Sequence, residues 1–102
     1  MKEIKIFLDY QCYPLWAYDE QGELICNDLI DELKNETEIK EILDYIQNIY
    51  DGLFVDNEVY FEYQGFENEE EKDGFLKKIS RVIQLIESKV EKIYIVENKV
   101  NV

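Results

Sequence analysis

The sequence predicts an α+β fold in two layers, with about five mostly antiparallel strands and two long helices covering one face of the sheet. Two long segments repeat apolar residues at steps of three and four, as amphipathic helices do. Shorter segments alternate apolar and polar residues, as half-buried strands do. These segments follow the order β-β-β-α-β-α-β. The 102 residues contain no repeat or low-complexity linker, which indicates a single α+β domain, 1–102.

The first three strands are predicted before residue 28. Residues 2–10 alternate and form the first strand. Pro14 cannot donate a ladder hydrogen bond, so we place the start of the second strand there. Residues 15–18 and 23–27 then flank a four-residue hairpin turn, in which Gly22 is expected to adopt a positive φ.

Both helices are expected to begin with the same capping pattern. Asn35 followed by Glu38 opens the first helix, and Asn68 followed by Glu71 opens the second. Gly52 lies where a glycine that ends the first helix would lie.

Three shorter elements complete the order. Asn27 or Asp28 can cap a short turn over residues 29–34. One strand is predicted after each helix, at residues 58–63 and 92–97, where the apolar period changes to two.

The charge of the chain is unevenly distributed. The net charge is −13, but the segment from Asp9 to Glu71 has 19 acids against two bases, a net charge of −17. Acidic residues favour solubility, yet solubility alone does not require the bases to be sorted to the two ends. We therefore interpret the acids as a negative binding face. The lack of a basic patch argues against nucleic acid and anionic membranes as partners.

The composition argues against common catalytic chemistry. Histidine is absent, and the glycines form no phosphate-binding loop. Ser80 and Ser88 have no base nearby in the sequence, and the neighbours of Cys12 and Cys26 are acids and aromatic residues. The absence of a signal peptide pattern predicts a cytoplasmic protein, in which the cysteines are expected to be buried thiols rather than a disulfide.

Two alternatives use the abundant carboxylates. A pair of acids could act as in glycosidases, but among 24 acids some pairs are close by chance. The segment 51–58 superficially resembles a calcium loop, but it lacks the alternating acids of an EF-hand. We therefore expect no enzyme, no metal and no cofactor.

A protein-binding surface is the remaining interpretation. Residues 50–66 interleave six aromatic side chains with acids and contain no base, and tyrosine and tryptophan are enriched at binding hot spots. We expect the surface to join the hairpin at 16–23 with the segment 51–62, whereas Phe7, Phe61 and Phe75 are expected in the core. The predicted partner-binding residues are Trp16, Tyr18, Asp19, Glu20, Asp51, Asp56, Glu58, Tyr60 and Glu62.

The chain resembles the small acidic immunity proteins of bacterial polymorphic-toxin and contact-dependent growth inhibition systems. The resembling segments are CYPLWAYDEQGELICNDL (12–29) and IYDGLFVDNEVYFEYQGF (49–66). The resemblance implies a monomer that neutralises a cognate toxin, commonly a nuclease, in a tight one-to-one complex. Because nucleases hold phosphates in basic clefts, an acidic protein could fill such a cleft.

The charge suggests a first test of this interpretation. Association should slow as salt rises, and replacing Asp56 or Glu58 with lysine should cost more affinity than replacing Glu97. The alternative is an acidic housekeeping adaptor without a toxin partner, whose acids only solvate it. An adaptor would bind through an apolar patch, insensitive to salt, or self-associate.

Overall fold

The computed structural model describes residues 1–57 and 59–102 and has the predicted α+β class. Its elements are β1 (Lys2–Ile6), β2 (Leu15–Tyr18), β3 (Leu24–Cys26), a 3-10 turn (Asp31–Leu33), α1 (Thr37–Asp51), β4 (Phe54–Asp56), β5 (Phe61–Tyr63), α2 (Glu69–Val90) and β6 (Tyr94–Asn98). The order of elements matches the prediction, except that a two-stranded hairpin replaces the predicted fourth strand.

The strands form two separate sheets. The main sheet has the order β3-β2-β1-β6, and β4 and β5 form a two-stranded sheet of their own. β1 pairs antiparallel with β2 and parallel with β6. Parallel strands need a long crossover connection. Here the chain between β1 and β6 includes both helices and the β4–β5 hairpin.

The core lies between one face of the main sheet and the two helices. Ile4 and Ile6 on β1 are fully buried together with Leu15 and Ala17 on β2. They belong to one cluster with the buried residues of the helices, which are Ile39, Ile42, Leu43, Ile46, Phe75, Ile79, Val82, Ile86 and Val90. Each large aliphatic side chain buried in this way contributes about 1.5–3 kcal/mol. The two helices thus cover one sheet face, as predicted.

Two burial predictions are wrong, because neither Phe7 nor Phe61 lies between the main sheet and the two helices. Phe75 is 2% exposed, as expected for a core ring, but Phe7 is 43% exposed and Phe61 is 53% exposed. Phe7 follows β1 and packs edge-on against Trp16, with 5.9 Å between ring centroids. Phe61 lies in the small hairpin, outside the main layers.

The first strand is shorter than predicted. β1 ends at Ile6, and the chain then turns at Asp9, where the backbone carbonyl accepts a hydrogen bond from Cys12 N at 3.1 Å. Gln11 in this turn has a φ of 58°, the left-handed region that non-glycine residues rarely adopt. The alternation of residues 2–10 therefore continues past the real end of the strand.

The predicted strand at 58–63 is instead one arm of a hairpin. Phe54 pairs with Tyr63 and Asp56 with Phe61. The Asn57 side-chain oxygen accepts hydrogen bonds from Val59 N at 2.8 Å and Tyr60 N at 3.1 Å, as asparagine does in turns. β4 and β5 have only three residues each. The alternation of apolar and polar residues cannot distinguish two strands this short from one longer strand.

The remaining differences lie at the ends of elements. Gly22 has the predicted positive φ, 82°. β3 ends at Cys26, before Asn27, and Leu24 is exposed because β3 is an edge strand beyond a register shift in β2. The 3-10 turn has no side-chain cap, so neither Asn27 nor Asp28 caps it.

The two capping predictions have different outcomes. The Asn68 side chain accepts a hydrogen bond from Glu71 N at 2.8 Å at the start of α2. The prediction for Asn35 is wrong, because Glu36 is the N-cap residue of α1 and makes no side-chain capping bond.

Because the Asn68 side chain caps α2, Asn68→Ala should lower the free energy of unfolding by about 1 kcal/mol, measured by urea denaturation. Asn35→Ala is the matched control and should cost only a few tenths. Equal losses would contradict the assignment.

Candidate partner-binding surface

The β4–β5 hairpin is held against the turn at Asp9–Cys12 by aromatic packing. The ring centroid of Tyr10 lies 4.8 Å from that of Phe54 and 4.9 Å from that of Phe61. Phe54 and Phe61 stack on each other at 5.2 Å with an interplanar angle of 17°. Tyr10 thus links the two strands of the hairpin to the loop between β1 and β2.

Two further tyrosines extend this packing around Phe54. The ring centroid of Phe54 lies 5.2 Å from that of Tyr50, near the end of α1, and 5.0 Å from that of Tyr63 on β5. We call Tyr10, Tyr50, Phe54, Phe61 and Tyr63 the aromatic cluster. Each such ring pair contributes about 0.5–1.5 kcal/mol beyond its buried area. Phe61 and Tyr63 remain exposed, so the aromatic cluster also forms part of the surface.

Three carboxylates surround the aromatic cluster. Asp51 accepts a hydrogen bond from Gln11 N at 2.8 Å, Asp56 accepts one from the Tyr10 hydroxyl at 3.3 Å, and Asp9 accepts one from Tyr10 N at 2.9 Å. In the described part of the chain, no lysine or arginine forms an ion pair with any of the three. Their negative charge is therefore not neutralised within the described chain.

The titration of nearby groups responds to these carboxylates. Burial, followed by Asp56 and Asp51, raises the pKa of Tyr10. Burial, followed by Asp9 and Asp51, raises the pKa of the Cys12 thiol. The Tyr10 hydroxyl accordingly stays a hydrogen-bond donor, and Cys12 stays protonated, which disfavours its action as a nucleophile.

The predicted residues of the segment 51–62 lie on different sides of the hairpin. Side chains alternate along a strand, so Asp56 shares a face with Phe61, whereas Glu62 lies on the opposite face, paired with Val55. Tyr60 is exposed in the turn. Glu58 lies outside the described residues.

The predicted residues of the first hairpin are spread along the main sheet. The turn with Asp19 and Glu20 follows β2, whereas the turn with Tyr10 precedes it. At about 3.3 Å per residue, the four residues of β2 separate the two ends by roughly 13 Å. The Asp19 side chain serves its own turn and accepts hydrogen bonds from Gln21 N and Glu23 N, both at 2.9 Å. The structure does not gather Asp19 and Glu20 with Asp51 and Asp56.

The two aromatic residues of β2 face away from the helices. The Trp16 indole donates a hydrogen bond to the Phe7 carbonyl at 3.0 Å, which fixes it beside the chain that leads to Tyr10. The ammonium of Lys5 lies 4.7 Å from the ring centroid of Tyr18. Trp16 thus borders the loop of the aromatic cluster, and Tyr18 lies nearer the other end of the sheet.

Sequence reasoning missed Tyr10 as a site residue. The alternation of residues 2–10 places Tyr10 at the end of the first strand, and Tyr10 lies 46 residues from Asp56, to which its hydroxyl donates. A local signal was present, since Asp9 is a favoured first residue of a turn. The residues around Asp9 do not indicate that this turn packs against the β4–β5 hairpin.

Other kinds of site find little support in the described residues. Within residues 1–57 and 59–102, no group of three Asp, Glu or Cys side chains could hold a metal ion. Cys12 and Cys26 are free thiols and half-buried, rather than buried as predicted. No helix in the described part of the chain is both long enough and apolar enough to cross a bilayer.

The segments 12–29 and 49–66, which carry the resemblance to immunity proteins of contact-dependent growth inhibition, form β2, β3 and the hairpin that bears the aromatic cluster. The family described as Serratia CdiI immunity protein-like matches residues 2–98. The chain belongs to this family, which confirms the resemblance. No curated protein sequence matches the chain.

Proposed function

We propose that this protein neutralises a cognate toxin, most simply a nuclease, by binding it one-to-one in the cytoplasm through the aromatic cluster and its carboxylates. Membership of the immunity protein family supports a toxin as the partner. The observation that carries the choice of surface is that Asp9, Asp51 and Asp56 surround exposed rings and have no ion-pair partner among the described bases. A basic cleft would supply the missing countercharge.

The proposed mechanism is occlusion rather than catalysis. Rings such as Phe61 and Tyr63 give a partner rigid contact area at low entropic cost. Carboxylates speed the encounter with a basic partner and fix its register. Asp51 and Asp56 belong to this surface, Trp16 borders it, and Tyr60 lies in the turn of the same hairpin. Tyr18, Asp19, Glu20 and Glu62 would take part only with a partner that extends along the sheet or around the hairpin.

The alternative, an acidic adaptor without a toxin partner, has one observation in its favour. The outer face and edges of the main sheet expose apolar side chains, which include Leu24 and Ile95. An adaptor would use such a patch, and its binding would not depend on salt.

Charge reversal at Asp56 tests the proposed surface, and binding of the toxin domain by the unaltered protein distinguishes the two functions. Asp56→Lys should weaken binding to the toxin domain encoded beside this chain's gene at least tenfold, mainly by slowing association, and rising salt should reduce the difference. Surface plasmon resonance at two salt concentrations gives both rates.

Glu87→Lys is the matched control, because Glu87 is exposed on α2 and forms no ion pair among the described residues. Glu97 is less suitable, since it pairs with Lys99 at 3.1 Å. Equal effects of Asp56→Lys and Glu87→Lys, or association rates independent of salt, would argue against the carboxylates as the binding surface. If the unaltered protein does not bind the toxin domain, the adaptor is favoured.

A further inference from the structure

A groove of about 660 Å³ lies behind the hairpin, between the second half of α1 and the first turns of α2. This volume falls within the range of about 300–1,000 Å³ that is common for ligand pockets. The apolar part of its lining comes from Ile49, Leu53, Phe66 and Phe75. Phe66 and Phe75 pack together with 5.1 Å between ring centroids. The groove can therefore accept an apolar side chain.

Three of the four glycines of the chain, Gly52, Gly65 and Gly74, line this groove. Gly65 has a φ of 74°, which explains glycine there. Gly74 lies inside α2, where glycine costs about 1 kcal/mol relative to alanine, and beyond the adjacent backbone of α2 a Cβ at this position would meet no atom within 4 Å. Packing does not require glycine at position 74, and its absent side chain leaves the groove open.

The charges around the groove are polarised. Glu67 and Glu71 lie at the end near the hairpin, and neither forms an ion pair with a described base. Lys78 lies further along α2, where its ammonium is 5.6 Å from the ring centroid of Tyr45. A cation is therefore favoured at the hairpin end of the groove.

The groove and the aromatic cluster share the hairpin as a common wall. Gln64 N and Gly65 N both donate to the Leu53 carbonyl, at 2.7 and 3.3 Å. Leu53 and Gln64 line the groove, whereas their chain neighbours Phe54 and Tyr63 belong to the aromatic cluster. A protein bound to the aromatic cluster can therefore contact the groove with a segment that passes around the hairpin.

We propose that the groove receives a large aromatic or aliphatic side chain of the toxin partner, flanked by a lysine or arginine whose charge meets Glu67 and Glu71. The identity of the partner rests on the proposed function. The chemistry of the occupant rests on the apolar floor, the open position at Gly74 and the unpaired acids. The aromatic cluster and the groove then act as two adjoining contacts, one for charge and ring stacking and one for a buried anchor.

A peptide titration followed by NMR tests the groove without the toxin. Acetyl-Lys-Phe-Lys-amide should shift the amide resonances of Gly52, Gly65 and Gly74, while Gly22 in the remote hairpin turn serves as an internal control. Acetyl-Glu-Phe-Glu-amide should give shifts several-fold smaller. Equal shifts with both peptides, or shifts at Gly22 as large as those in the groove, would overturn the proposal.

Two variants at one position test the groove with the toxin. Gly74→Leu should fill the groove and weaken binding of the cognate toxin domain at least tenfold. Gly74→Ala leaves the groove open and should preserve binding while raising the melting temperature. If Asp56→Lys weakens toxin binding and Gly74→Leu does not, the groove proposal fails and the proposed function stands. If neither variant weakens it, the toxin binds elsewhere, and both the groove proposal and the proposed surface fail. If the unaltered protein does not bind the toxin domain, the proposed function fails, and the peptide titration decides whether the groove binds a cationic apolar segment.

Discussion

Replacing Tyr10 with alanine is expected to weaken toxin binding at least tenfold while the main sheet and helices stay folded. The ring centroid of Tyr10 lies 4.8 Å from that of Phe54 and 4.9 Å from that of Phe61. Tyr10 thereby joins the hairpin to the turn that carries Asp9. Losing two ring pairs removes roughly 1–3 kcal/mol of local packing, and tenfold in affinity corresponds to about 1.4 kcal/mol. Calorimetric titration measures the affinity, and thermal denaturation measures the fold.

Tyr10→Phe is the matched control for this variant. It keeps both ring contacts and removes only the hydroxyl, whose hydrogen bond to Asp56 is long at 3.3 Å. We expect less than about a threefold loss of affinity, because a bond of this length contributes little. If the two variants lost the same affinity, the hydroxyl rather than the ring would be responsible. Unchanged binding in Tyr10→Ala would remove the aromatic cluster from the interface.

Replacing Asn27 with alanine is expected to lower the free energy of unfolding by about 2–4 kcal/mol. Its side-chain oxygen accepts a hydrogen bond from Tyr13 N at 3.1 Å, and its amide nitrogen donates to the carbonyls of Tyr13 and Leu15 at 2.6 and 2.9 Å. Each hydrogen bond contributes about 0.5–1.5 kcal/mol, and unpaired backbone groups that remain partly buried add to the cost. Urea denaturation measures the loss.

Two further variants show whether the three bonds are responsible. Asn27→Asp keeps the shape but replaces the two donors with an oxygen facing two carbonyls, so it should destabilise the protein about as much as alanine. Asn98→Ala removes one exposed bond, from Val100 N at 2.9 Å, and should cost less than about 1 kcal/mol. A loss in Asn27→Ala no larger than that in Asn98→Ala would contradict the bridging role.

Local patterns predict most of the fold because the helices and the first hairpin depend on neighbours in the chain. The apolar stripes of α1 and α2 place both helices, and Asp19 to Gly22 forms the expected turn. The capping pattern succeeds at Asn68 but fails at Asn35, because the 3-10 turn that ends at Leu33 shifts the start of α1 to Thr37.

The candidate surface depends on contacts that no local pattern contains. Acids and rings in the segment 51–62 indicate a surface, yet the partner of that segment within the chain is Tyr10, far away in sequence. Asn27 illustrates the same limit, since its amide suits a helix cap as well as the bridge to Tyr13 that it forms. Periodicity identifies strands but does not determine which strands meet.

The parallel pairing of β1 with β6 also has a kinetic consequence. Lys2 aligns with Tyr94 and Ile6 with Asn98, so this pairing must close a loop of about ninety residues, and contacts so distant in sequence slow folding. During synthesis, the ribosome releases the segment that completes the sheet only after both helices. Residues 94–98 must therefore be synthesised before the four-stranded sheet can be complete, and shorter chains lack its parallel pair.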